Sequence, residues 1–180
     1  MVKLDELLSE GNLIKALIFF LRKPSIKISQ TDLRNKIKMA KATLIKWLKL
    51  LVEENLIQFE KIGVTKLYQL NKDNAINKQL KILDNIASLT PAAGISKKYG
   101  VKIYLYGSAA RGEDTEESDM DLLIIGKIQK EQIIGEINKI SENAGRDVKI
   151  QIFTPLDWSK MSRKDPSFYE RVEKDKKELA

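Results

Sequence analysis

One stretch constrains this chain more than any other: Tyr104-Leu-Tyr-Gly-Ser-Ala-Ala-Arg-Gly-Glu-Asp-Thr-Glu-Glu-Ser-Asp-Met-Asp-Leu-Leu-Ile-Ile125. The apolar run from Val101 to Tyr106 reads as a buried strand. It breaks at Gly107-Ser108, and a brief helical stretch to Arg111 ends at Gly112, a natural helix stop. An acidic loop leads to Asp119-x-Asp121 and then to Leu122-Leu-Ile-Ile125, a second buried strand. Alternation along a strand puts Asp119 and Asp121 on one face, about 7 Å apart. Carboxylates that close repel each other, and a divalent cation relieves the repulsion. Gly107-Ser108, at a strand end and opening a helix, offers backbone N–H groups and a hydroxyl to an anion. Together they suggest a site for a phosphate and the Mg²⁺ that bridges it. The plainer alternative is a glycine turn and a loop whose acids pair with Arg111 or Lys127.

Composition narrows the chemistry. The chain has 180 residues, 43% of them hydrophobic, enough for one sizeable domain or two small ones. No apolar run is long enough to span a bilayer, and the stretch from Lys3 to Glu10 is polar and amphipathic rather than a signal peptide. A cytoplasmic protein without membrane association is expected. With no cysteine and no histidine, disulfides, thiol chemistry, catalytic triads and histidine metal sites are excluded. Carboxylates and oxygen-loving ions such as Mg²⁺ or Mn²⁺ remain.

The formal charge of +7 lies entirely in residues 1–90, residues 91–180 being neutral. From Arg22 to Lys49 nine basic residues face the single acid Asp32. Such a segment points to a polyanionic partner, the alternative being a solvated lysine-rich surface. A short amphipathic helix (Leu4, Leu7, Leu8) precedes Gly11, and Leu13, Ala16, Leu17 and Phe20 mark a second from about Asn12 to Arg22. Ser29-Gln-Thr-Asp32 resembles a capping box opening a third helix that buries Leu33 and Ile37. Lys41 to Glu54 forms the next, with Leu44, Trp47, Leu48 and Leu51 inward and Lys46 and Lys49 outward. Leu56 to Leu70 reads as a hairpin turning at Ile62-Gly63.

Polar Asn71 to Asn77 marks a domain boundary, giving domains 1–72 and 73–180. Leu80, Leu83 and Ala87 start a further helix, and Thr90-Pro-Ala-Ala-Gly94 breaks it. Gln129 to Asn143 is amphipathic and closes at Ala144-Gly145. Asp147 to Phe153 alternates as a half-buried strand, and Thr154-Pro155 and Asp165-Pro166 each begin a helix.

Residues 28–57 resemble the helix-turn-helix of bacterial and archaeal winged-helix regulators, with the hairpin as the wing. The resemblance implies double-stranded DNA in contact with Lys41, Ala42, Thr43, Ile45, Lys46 and Lys49, with Lys61 and Lys66 near a phosphate backbone. Winged helices also serve as dimerisation, RNA-binding or protein-binding modules, and a homodimer is expected. The outward face of this helix lacks the Arg, Asn and Gln that read base edges, so phosphate contacts outweigh base readout.

Gly107-Ser108, ten residues and then Asp119-x-Asp121, with Arg111-Gly112 and Ser118 in place, resembles the minimal nucleotidyltransferases of the DNA polymerase β superfamily. The fold this implies is two domains, a mostly α winged helix followed by an α+β nucleotidyltransferase fold with a small mixed sheet. The resemblance gives Gly107, Ser108 and Arg111 to the triphosphate of a nucleoside triphosphate, and Asp119 and Asp121 to Mg²⁺ or Mn²⁺. The implied reaction is transfer of a nucleotide, AMP before others, from a nucleoside triphosphate. The spacing also resembles nucleotidyltransferase antitoxins that modify a toxin partner.

One position departs from that pattern. Counting back from Thr154-Pro155 puts Gln151 where the family's third carboxylate stands, and Asp147 lies about 13 Å away along the strand. An amide brings no charge and cannot take the nucleophile's proton. Glu113, Asp114 or a partner's carboxylate could fill the gap. Alternatives are a DNA-binding regulator that senses nucleotide without turnover, and a pure interaction scaffold.

Overall fold

The computed structural model describes residues 4–180, with side chains from Leu7 onward. The expected roles of Lys3 and of the Leu4 side chain lie outside the described residues. The chain divides into two compact units, one ending at Lys78 and one running from Gln79 to Ala180. Helices combine with sheets in both, an α+β architecture.

In the first unit, α1 (Leu4–Ser9) and α2 (Gly11–Arg22) lead to a short strand β1 (Ile28–Ser29), then α3 (Gln30–Ile37) and α4 (Lys41–Glu53). Ser29 caps α3, its hydroxyl accepting from the Asp32 amide at 3.2 Å, as the capping-box pattern predicts. Lys38, in the left-handed region at φ 50°, ends α3 and turns the chain into α4. Leu44, Trp47, Leu48 and Leu51 are buried with Leu13, Leu17, Phe20 and Leu33. Strands β2 (Ile57–Ile62) and β3 (Thr65–Leu70) form an antiparallel hairpin, and β1 adds on the far side of β3. Ile62 pairs with Thr65, so the turn is Gly63-Val64 and not the expected Ile62-Gly63. Gly63 takes φ +58°, which a first hairpin-turn position demands.

Helix α5 (Ala75–Ser88) departs from its periodicity. Leu80, Leu83 and Ala87 mark this helix in the sequence, yet Leu83 is 58% exposed, while Asn77, Lys81 and Asn85 are buried. Asn77 donates to the carbonyls of Leu56 and Asn71 at 2.7 and 2.8 Å, and Asn85 to that of Ala109 at 3.0 Å. These bonds satisfy backbone acceptors that an apolar side chain would leave orphaned.

The second unit continues with α6 (Ala92–Tyr99), β4 (Lys102–Tyr106), α7 (Gly107–Arg111), β5 (Met120–Ile125) and α8 (Lys130–Ala144). Then come β6 (Val148–Phe153), α9 (Pro155–Lys164), α10 (Pro166–Asp175) and β7 (Lys177–Glu178), a strand the sequence pattern did not announce. The sheet order is β6-β5-β4-β7, with β5 and β6 parallel and the other pairs antiparallel, a small mixed sheet. Thr154 and Asp165 cap α9 and α10, accepting from the amides of Asp157 and Phe168. One sheet face packs Ile103, Leu105, Leu122 and Ile124 against Ile95 of α6 and Ile133 and Ile137 of α8. The other packs Tyr104, Tyr106 and Leu123 against Trp158 of α9 and Val172 of α10. Strand β5 is thus buried on both faces, which accounts for its unbroken apolar run.

Candidate active site

The site forms where β4 hands over to α7. Tyr106 ends the strand in extended conformation, and Gly107 takes φ +75°, a region that side chains with a Cβ rarely adopt. Helix α7 closes at Gly112, again left-handed. Antiparallel register sets Asp121 opposite Tyr106, and parallel register on the other side sets it opposite Lys149. The carboxylate of Asp121 lies directly against Gly107: a Cβ there would stand 2.7 Å from Oδ2. Gly107 and Asp121 are therefore brought together, and Ser108, half-buried, opens α7 beside them.

Asp119, just ahead of β5, makes an ion pair with Lys149. Burial, then the neighbouring Asp119 charge, pushes the Asp121 carboxyl above its ordinary range, and Lys149 partly offsets this. The hydrogen bond to Asp119 holds the Lys149 ammonium above its usual value. Tyr106 is pushed up to about 12 by burial and by Asp121.

Arg111 is engaged by two carboxylates, Glu113 at 2.7 Å and Asp175 at 3.2 Å. Glu113 is thereby committed away from the Asp119–Asp121 pair. Asp114 is too: it is 3% exposed and receives Arg146 at 2.8 Å, Asn85 at 3.1 Å and Lys81 at 3.3 Å. Neither acid completes the site. Among the described residues no group of three potential acidic ligands could hold a metal. Gln151 is exposed and sits in register with Leu123, two residues beyond Lys149 on the same face of β6.

The Asp114 cluster is an arrangement that sequence reasoning missed. Arg146 donates to the carbonyl of Ser118 from both Nε (3.0 Å) and Nη2 (2.7 Å), and Ser118 immediately precedes Asp119. The loop is further tied by the Thr115 amide donating to the Ser118 hydroxyl at 2.9 Å. Burial lowers the Lys81 pKa, and Asp114 opposes the shift. The position of Asp119 thus rests on a buried cation–carboxylate network whose members are dispersed along the chain.

In the first unit, Lys41, Lys46 and Lys49 lie exposed on α4, with Thr43 half-buried. Lys46 covers the Trp47 ring at 4.1 Å, and Lys49 pairs with Glu53 at 3.7 Å. Lys61 and Lys66 are cross-strand partners on the hairpin, and Lys66 lies over Phe59 at 4.2 Å.

The glycine turn at the end of β4 thus abuts Asp121 of the adjacent strand, with Asp119 just ahead of it. Residues 93–178 match the family model described as a nucleotidyltransferase domain, a span from within α6 through β7 that contains the turn and both carboxylates. A curated protein of Methanocaldococcus jannaschii, provisionally named as a protein adenylyltransferase, is 49% identical over 39 residues. That similarity covers 22% of this chain and 39% of the relative. No solved structure matches the chain. These similarities support nucleotidyl transfer in general terms. No helix among the described residues is long and apolar enough to cross a membrane.

Proposed function

We propose that residues 73–180 transfer a nucleoside monophosphate, AMP before others, from a nucleoside triphosphate to a hydroxyl-bearing acceptor. The observation that carries this reading is the contact of Gly107 with Asp121, which sets the Gly107-Ser108 turn against one member of the carboxylate pair. Gly107 and Ser108 bind the β- and γ-phosphates through N–H groups and the hydroxyl. Asp119 and Asp121 suit one hard cation, since Mg²⁺ is commonly held by one or two carboxylates with phosphate and water completing its shell. Bound there, Mg²⁺ or Mn²⁺ would withdraw charge from the phosphoryl oxygens. The acceptor oxygen attacks the α-phosphorus as the bond to pyrophosphate breaks. With an amide at Gln151, the acceptor's proton leaves to solvent. The provisional name of the archaeal relative favours a protein acceptor, and a toxin-like partner fits that class.

The first unit we read as a winged helix that binds double-stranded DNA. Helices α3 and α4 ahead of the β2–β3 hairpin, with β1 completing a three-stranded antiparallel sheet, and the exposed lysines of α4 support this. Like charges set opposite each other at Lys61 and Lys66 repel, and a nearby phosphate backbone would relieve them. A homodimer would present two such units.

A second reading has a specific observation behind it. Lys149 on Asp119 and an amide at Gln151 favour a DNA-binding regulator or antitoxin-type protein that binds nucleotide without efficient turnover. Incubation with labelled nucleoside triphosphates and Mg²⁺ or Mn²⁺, against an Asp119→Asn/Asp121→Asn control, separates the two. Label on a protein or nucleic-acid acceptor, lost in the control, supports transfer. Metal-dependent binding without label supports the regulator, and equal nucleotide affinity with and without metal overturns both.

A further inference from the structure

We propose that the Lys149 ammonium is the second cation of this site, so that the site takes a single divalent ion together with its nucleoside triphosphate. The inference rests on the nucleotidyl-transfer reading and deepens it. Lys149 stands opposite Asp121 in the parallel β5–β6 register and pairs with Asp119, so its strand position adjoins one carboxylate while its ammonium holds the other. The position two residues on, where a further carboxylate would extend the pair, is Gln151, beside Leu123. Lys149 and Gln151 share one face of β6, so the cation and the missing charge are adjacent.

Charge balance points the same way. Asp119 and Asp121 bring two negative charges and Lys149 returns one positive. One divalent ion leaves the protein's side of the site at +1, suited to a triphosphate. A second would raise it to +3, with no third acidic ligand among the described residues to offset it. The Lys149 side chain is 66% exposed, so its flexible stem can shift from Asp119 to a phosphate oxygen without disturbing the sheet.

The test counts Mn²⁺ on the full chain by native mass spectrometry with a non-transferable ATP analogue, and measures analogue affinity by calorimetry. Wild type should carry one Mn²⁺ per bound analogue. Gln151→Asp should still carry one, because Lys149 still supplies the second positive charge. Lys149→Ala/Gln151→Asp should carry two. Lys149→Ala alone should carry one and bind the analogue about tenfold more weakly. Circular dichroism checks that each variant is folded, which the exposure of both side chains favours. Two Mn²⁺ in wild type, or unchanged affinity in Lys149→Ala, overturns the role of Lys149 and leaves nucleotidyl transfer standing. Failure of wild type to bind the analogue with Mn²⁺ overturns the nucleotidyl-transfer reading, and the lysine assignment with it.

Discussion

The backbone of Gly107 and the carboxylate of Asp121 occupy adjoining space, with only 2.7 Å between Oδ2 and the point where a Cβ on Gly107 would lie. Gly107→Ala therefore meets two penalties. At φ +75° an alanine costs roughly 1–2 kcal/mol, and Asp121 must turn away from the Gly107-Ser108 turn. Urea unfolding should show the first. Calorimetry should show metal-dependent nucleotide binding weakened by about tenfold or more. An alanine variant that binds Mn²⁺ and nucleotide like wild type would show that the close approach has no bearing on the site.

Asp114 governs stability more than its place in an acidic loop suggests. It is 3% exposed between Lys81 and Arg146, so Asp114→Ala removes the carboxylate shared by the buried Lys81 ammonium and the half-buried Arg146 guanidinium, a change that costs about 3–5 kcal/mol. Because Arg146 also holds the Ser118 carbonyl, transfer activity should fall in the molecules that remain folded. Chemical denaturation of the variant checks this, and a loss below about 1 kcal/mol would mean that the cluster is not structural.

What the sequence discloses and what it conceals divide along chain distance. The Gly-Ser turn, the helix stop at Gly112 and the Asp119–Asp121 pair lie within one local run, where alternation and glycine placement suffice to read them. The lysine beside Asp121 is not local: it depends on the β5–β6 register, which only the folded sheet fixes. Asp114 reads as one acid among several because Arg146 comes 32 residues later. Helix α5 buries Asn77 and Asn85 because they bond distant carbonyls, and hydropathy does not see such bonds. β7 escapes notice because two residues carry no periodicity.

Tyr106 offers a spectroscopic handle on the site. Burial and Asp121 push its phenol up to about 12, Arg171 pulling the other way. The folded chain keeps a proton that the unfolded chain releases at the ordinary value of 10.0. The corresponding stability is therefore full below that pH and is lost as pH rises toward 12. Ultraviolet difference titration against Tyr106→Phe should isolate one late-ionising tyrosine. Asp121→Asn should lower its pKa yet leave it raised, because burial is the larger cause. An unchanged titration in that variant would separate Tyr106 from the carboxylate.

Salt dependence tests the DNA-binding reading. Contact with about five phosphates gives a log–log salt slope of roughly −4 to −5. Lys46→Glu with Lys49→Glu should abolish binding, since both side chains are exposed on α4, and should leave the unit folded. Binding that persists in the double variant would place the contact surface elsewhere.

Strand β4 has one neighbour close behind it in the chain and another far ahead. β5 reaches it after a short loop, but β7 arrives only at residues 177–178 and pairs with Tyr104 and Leu105. A ribosome makes the chain in that order, so the run Ile103-Tyr-Leu-Tyr106 stands with an open hydrogen-bonding edge while α8, β6, α9 and α10 are still being made. That nascent edge is open to pairing with another copy of the chain, and the late arrival of β7 covers it.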